Sequence, residues 1–300
     1  MSATDGAADG LSDPELAASL GDFESRHAEV NGVRLHYVAG GAGEPLVLVP
    51  GWPETWWEYR KVMPALAERY RVIAVDLRGM GGSSKPAGGF DKKTMAADIR
   101  ALARRLGHER INIAGHGIGS MVAFAHAANH PEATRRLALL NTTHIDESYY
   151  DFRIMPPPDE PPPHRWWLAF NIVPDFPVKL LAGRYRLMID YMFGLSLTDP
   201  RAVTDRDREV YARAYDSPEA IRACQGWFQA YQKDIADFAS YGRLTVPVLG
   251  LAYGPFYEYM SKVLPQQAED VRVVEVANTR NYLVEEQPQA VVDAFVDFFG

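Results

Sequence analysis

Apolar and polar residues along this chain recur with two periods. From Phe23 to Gly41, "FESRHAEVNGVRLHYVAGG" alternates on either side of Asn31-Gly32 and predicts a β-hairpin closed by a tight turn. "PLVLVPG" at 45–51 is apolar throughout, as expected of a strand buried on both faces. A helical stretch at about 56–68 is followed by the strand "RVIAVDL" at 71–77 and the Gly-rich loop "RGMGGSSKPAGG" at 78–89. "TMAADIRALARRLG" at 94–107 has the period of an amphipathic helix. "INIAGH" reads as a strand, 119–130 as a helix and "RRLALLNT" as another strand. Apolar strands alternating with helices of this length predict one parallel, doubly wound sheet.

The alternation pauses at about residue 145. "RIMPPPDEPPPHRWW" carries six of the chain's 21 prolines within eight positions, which favours extended or irregular backbone. From there to about 240 the pattern is helical and aromatic, with capped helix starts at Thr198-Asp199-Pro200 and Ser217-Pro218-Glu219. Strands resume with "VPVLGLAY" and "VRVVEVAN" before a last helix, "QAVVDAFVDFFG". The expected organisation is a partly helical N-terminal extension at 1–22, a core from 23–144 and 241–300, and a helical cap at 145–240. Residues 1–11 read as disordered, and "SDPELAASL" starts a helix capped by Ser12 or Asp13.

Composition narrows the function. A net charge of −8 disfavours nucleic acid and anionic membrane surfaces as partners. One cysteine, Cys224, leaves no internal disulfide and no thiolate metal cluster, so neither metal nor cofactor is expected. With no apolar run of membrane-spanning length and no secretory signal pattern, a cytoplasmic protein acting on a small molecule is expected, with a homodimer an open possibility.

Candidate chemistry centres on "NIAGHGIGSMVAF" at 112–124, an apolar strand, a Gly-rich corner and a small-residue helix. That is the shape of a nucleophile elbow, here with Gly117 at its tip. Together with "PGWPETWWEYR" (50–60), "DLRGMGGS" (76–83) and "NTRNYLVEEQP" (278–288), taken in order, the chain resembles the α/β-hydrolase fold and its epoxide hydrolase branch. The resemblance runs from about residue 23 to the end. It implies an eight-stranded, mostly parallel sheet with an inserted helical cap. Ile118, following the tip, resembles epoxide hydrolases rather than haloalkane dehalogenases, which commonly place a Trp there.

In that branch an elbow Asp attacks the epoxide, a His oriented by a carboxylate activates water against the resulting ester, and cap tyrosines donate to the epoxide oxygen. This chain departs at each position. Gly117 stands at the nucleophile, and Asn281, preceded by Arg280, stands at the base. An acid position is Asn141, or lies in "YGPFYEYM" with Glu258, and Phe228 falls where a cap Tyr is expected. An Asn amide takes no proton near neutrality. Pro50 replaces a His, although the Trp52 and Ile118 N–H groups remain available for an oxyanion hole.

Other candidates are His116 as a base beside the tip, His144 with Asp146 as a new acid–base pair, Arg280 as a carbonyl-polarising cation, and Asp76 as a loop brace. Trp166, Trp167, Trp227 and Tyr253, with Trp52 and Phe228, are candidate walls of an apolar pocket. The expected function is a non-hydrolytic cyclisation, isomerisation or elimination of a bulky apolar oxygenated metabolite. The alternatives are a ligand-binding pseudoenzyme and an epoxide hydrolase with a rewired acid or base.

Overall fold

The computed structural model describes residues 10–151 and 165–300. The first nine residues and most of the proline-rich stretch, for which irregular backbone is expected, lie outside the described residues. Eight strands form one sheet: β1 (Phe23–Val30), β2 (Val33–Gly40), β3 (Glu44–Val49), β4 (Tyr70–Val75), β5 (Ile111–His116), β6 (Thr134–Leu140), β7 (Val248–Ala252) and β8 (Val271–Glu275). Their spatial order is β1-β2-β4-β3-β5-β6-β7-β8. β1 and β2 form an antiparallel hairpin, and β2 pairs antiparallel with β4. Every later pair is parallel. The hairpin register pairs Val30 with Val33, and both turn residues, Asn31 and Gly32, have positive φ as so short a turn requires.

Helices α1 (Asp13–Ala18), α2 (Met63–Ala67), α3 (Lys92–Arg105) and α4 (Ile118–Asn129) precede the cap. Ser12 closes a capping box with Glu15 at the start of α1. Strand β5 is buried along its whole length, between β3 and β6 at mid-sheet, and α4 packs back across all three. This crossing fixes the strand-to-helix corner at the sheet's carboxyl edge, where ligands of open α/β sheets bind.

Between β6 and β7 stand α5 (Trp166–Ile172), α6 (Phe176–Leu181), α7 (Arg186–Ser196), α8 (Asp205–Tyr215), α9 (Pro218–Gln229) and α10 (Tyr231–Ala239). Helix α9 opens at the expected Ser217 cap, whose side chain accepts from the Ala220 N–H at 3.1 Å. Thr198-Asp199-Pro200 instead starts only a three-residue turn. The helix begins at Asp205 under Thr204, which forms a capping box with Asp207. The chain returns through α11 (Gly254–Gln267), α12 (Leu283–Glu286) and α13 (Pro288–Phe299). Cap and core are tied by Lys92, which is fully buried. Its Nζ meets Asp234 Oδ2 at 2.7 Å and the Trp227 carbonyl at 2.6 Å, over the Tyr231 ring.

Candidate active site

The corner after β5 is built from glycines with different tasks. Gly117 has φ 53° and ψ −119°, a conformation that strains any residue with a side chain. A Cβ placed there would still meet only the Gly51 Cα, at 3.6 Å. Two residues on, a Cβ on Gly119 would lie 2.1 Å from the Val49 carbonyl oxygen, so the helix can approach β3 only with glycine at that position. Space therefore exists above the tip and nowhere beside it.

The loop after β3 is braced from below. The Gly51 N–H donates to Glu58 Oε2 at 2.9 Å, the Trp56 N–H to Asp76 Oδ1 at 2.9 Å, and the Tyr59 hydroxyl to the Val49 carbonyl at 3.0 Å. Asp76 also accepts from His36 Nδ1 at 2.7 Å and the Gly82 N–H at 2.9 Å. Burial alone would raise the Asp76 pKa, but the hydrogen bond and charge of His36 together with the Trp56 and Gly82 N–H groups outweigh it and hold Asp76 below the ordinary value. Asp76 thus braces the loop, with both oxygens occupied. Asp13, which could join His36 and Asp76 in holding a cation, accepts from the Trp56 indole at 2.7 Å.

Trp52 leans toward the cap. Its indole donates to the Tyr185 hydroxyl at 3.0 Å, its ring meets Phe228 edge-on at 5.4 Å, and Tyr185 reaches Cys224 Sγ at 3.8 Å. Burial pushes the Cys224 thiol up to about 12, far from a nucleophilic thiolate. Tyr185 is one hydroxyl-bearing residue facing this loop, and Tyr215, whose hydroxyl donates to the Glu54 carbonyl at 2.6 Å, is another; no spacing or motif in the sequence signals either. The Ile118 N–H, at the first turn of α4, has no backbone partner outside the helix ladder among the described residues.

His116 lies one layer beneath the tip, its Nδ1 3.0 Å from Glu58 Oε1 and 3.3 Å from Glu54 Oε2. Burial opposes its charge, but the two carboxylates outweigh burial and lift it to about 10. Burial, with Glu58 alongside, pushes the Glu54 carboxyl well above its ordinary value. Glu54 and Glu58 were not singled out by sequence, where 57 residues lie between Glu58 and His116.

Several candidates are corrected by their surroundings. The Asn141 amide donates to the Asn281 carbonyl at 2.7 Å and its Oδ1 accepts from the Tyr253 N–H at 3.3 Å, so it clips three loops together. Asn281 is half-buried, beside this clip. Arg280 turns outward and donates to the Leu195 carbonyl at 3.2 Å, near the end of α7, instead of polarising a ligand. His144 is a core residue, not a partner of Asp146. Its ring stacks on Phe238 at 5.3 Å, its Nδ1 bonds the Ile145 carbonyl at 2.9 Å, and burial pulls it down to about 4. Asp146 accepts from the Ser148 N–H at 3.0 Å.

The tryptophans do not line one large pocket. Trp227 is fully buried and donates to the Arg78 carbonyl at 3.0 Å, and Trp166 donates to the Tyr191 hydroxyl at 3.2 Å on the cap exterior. Trp167 is half-buried on the same short helix. A cavity of about 140 Å³ opens at the sheet's carboxyl edge between Tyr149 after β6 and Phe256 and Tyr259 of α11, with no tryptophan in its lining. Tyr253, at the start of α11, packs against Phe256 with ring centroids 5.5 Å apart.

The alpha/beta hydrolase fold family matches residues 44–171. Over 294 residues the chain is 35% identical to the soluble epoxide hydrolase of Corynebacterium sp. (strain C12), covering 93% of this chain and 98% of that one. The chain belongs to the alpha/beta hydrolase superfamily, among its epoxide hydrolase-like members. Among solved structures it is similar to Cfl2 wild-type from Burkholderia cenocepacia, with 34% identity, a TM-score of 0.83, and 94% and 97% of the two chains covered. It is also similar to the epoxide hydrolase CorEH without ligand, with 32% identity, a TM-score of 0.81, and 92% and 98% covered. No helix among the described residues is long and apolar enough to cross a membrane.

Proposed function

We propose that this epoxide hydrolase-like chain carries out a non-hydrolytic rearrangement, a cyclisation, isomerisation or elimination, of an apolar oxygenated molecule. The observation that carries this reading is Gly117 at the corner: the strained backbone is retained, the space above it is open, and there is no carboxylate to attack an epoxide. Asn281, in the segment resembling that of the catalytic His, supports it, because its amide has no proton-accepting function near neutrality. What remains at the corner is orienting and polarising: backbone N–H groups at the start of α4 and the Tyr185 hydroxyl against Trp52.

Catalysis of this kind rests on holding a reactive conformer in a dry, shaped site. The packed tryptophans remove the ground for expecting a polycyclic ligand, so substrate size is left out of the proposal. A second reading, direct water attack on an epoxide without an ester, is favoured by the 35% identity to a soluble epoxide hydrolase. Mass-resolved turnover separates the two. Cyclisation or isomerisation leaves the substrate mass unchanged and elimination lowers it by the mass of the leaving group, whereas hydrolysis adds one water. Diol formation from styrene oxide at ordinary enzymatic rates would overturn the first reading, and labelled oxygen from solvent water in the first-turnover diol would establish the second.

A further inference from the structure

Beneath the elbow, Glu54, Glu58 and His116 present one donor atom each within 4.8 Å of one another, all three side chains buried. The elements that supply them are distinct: the loop after β3, the turn that follows it, and the end of β5. Both Glu54 oxygens, Glu58 Oε1 and both His116 ring nitrogens lack a well-formed hydrogen bond among the described residues. So does the Tyr282 hydroxyl, which is 1% exposed and lies within the electrostatic reach of Glu54 and Glu58. Its ring stands 6.3 Å from that of His116. His116 Nδ1 is ion-paired with Glu54 Oε2 and Glu58 Oε1, which leaves Glu54 Oε1, His116 Nε2 and the Tyr282 hydroxyl buried without a partner among the described residues, a cost that a bound group would offset.

We infer that this cluster is a binding site for a divalent first-row transition ion such as Zn²⁺, held by Glu54, Glu58 and His116 Nδ1, with the buried Tyr282 ring beside His116. A tetrahedral ion with bonds of about 2.0 Å spaces its donors about 3.3 Å apart. The separations here are 3.0 Å from Nδ1 to Glu58 and 3.3 Å from Nδ1 to Glu54. A divalent cation would displace the proton that His116 holds between the two carboxylates and take over the cancelling of their charge, and imidazole with carboxylate oxygen suits such ions. Glu58 is already oriented for the task, since its other oxygen accepts the Gly51 N–H. An ion here would lock the loop after β3 to the end of β5, one layer under the tip. This inference stands apart from the proposed reaction, because a chain that rearranges, hydrolyses or only binds its ligand can hold the ion equally well.

The test is the full chain expressed with added Zn²⁺ or Co²⁺, purified, and assayed for metal by plasma mass spectrometry. One equivalent per chain is expected, with a visible ligand-field band for Co²⁺. Glu58→Gln and Tyr282→Phe are compared with wild type, and Glu58→Gln is expected to weaken Co²⁺ binding tenfold or more. Nitrogen-labelled histidine in the wild-type protein gives a readout that needs no variant: the His116 Nδ1 signal should shift on Zn²⁺ addition. Substoichiometric metal, a His116 signal unchanged at saturating Zn²⁺, or full retention of metal by Glu58→Gln would each overturn the inference.

Discussion

At Gly117 an aspartate has room to stand. The nearest atom to an added Cβ is 3.6 Å away, while φ at 53° makes a side chain cost about 1–3 kcal/mol of stability. Gly117→Asp is therefore expected to fold with a lower melting temperature and to form a stoichiometric covalent adduct with a small epoxide, visible in the intact protein mass, without turnover. Sustained diol production from this one change would mean that a working base already faces the ester. The corner was legible in sequence because "GHGIGS" is contiguous and its glycines have no other common explanation. Asn141 was legible as a position but not in its role, since its amide closes contacts to Tyr253 and Asn281 from far along the chain. His144 shows the same limit: a histidine after a strand looks like solvated chemistry until Phe238 is found stacked on it.

Among the elements, the pairing of α3 with the cap bears most directly on how the molecule is held together. Lys92 opens α3 and Asp234 sits in α10. Asp234 accepts both the Lys92 backbone N–H and the Lys92 ammonium at 2.7 Å, in full burial. Burial pulls the Lys92 pKa down and Asp234 opposes this, so each charge is kept only by its partner. Lys92→Met is expected to cost about 3–5 kcal/mol in urea unfolding because it strands a buried carboxylate. Lys92→Met with Asp234→Leu should cost clearly less than the sum of the single changes, and strict additivity would show that the pair is not coupled. A second tie joins Arg60 to Glu285 of α12 and Asp207 of α8. Strand and helix order could be read from periodicity, and the run of helices between β6 and β7 from where strand periodicity stopped. These ties could not be read, because buried Lys–Asp and Arg–Glu pairs look in sequence like ordinary surface charge.

For the molecule as a whole, two buried histidines set the acid limb of stability. Burial pulls His126 down to about 3 and His144 to about 4, so the folded chain keeps both neutral while the unfolded chain protonates each near its ordinary value. Below about pH 6.5 the unfolded state binds more protons, and each histidine lowers stability by about 1.4 kcal/mol per pH unit. His36 acts on the other limb: Asp76 raises its pKa against burial, so its contribution is complete below the unfolded value and lost as pH rises through the folded one. Urea midpoints should therefore be highest between the two limbs, and His144→Gln should reduce the acid slope. An unchanged slope would place the acid sensitivity elsewhere. The glycines of the corner have a consequence for the chain's lineage. In a saturation library, position 119 should return only glycine, because any Cβ there strikes the Val49 carbonyl, and position 115 likewise, where it would strike the carbonyl of Gly119. Position 117 alone should accept other residues. Two of the four glycine codons lie one base from an aspartate codon, so a single base change can exchange the two residues at that one position, while the frame around it stays locked.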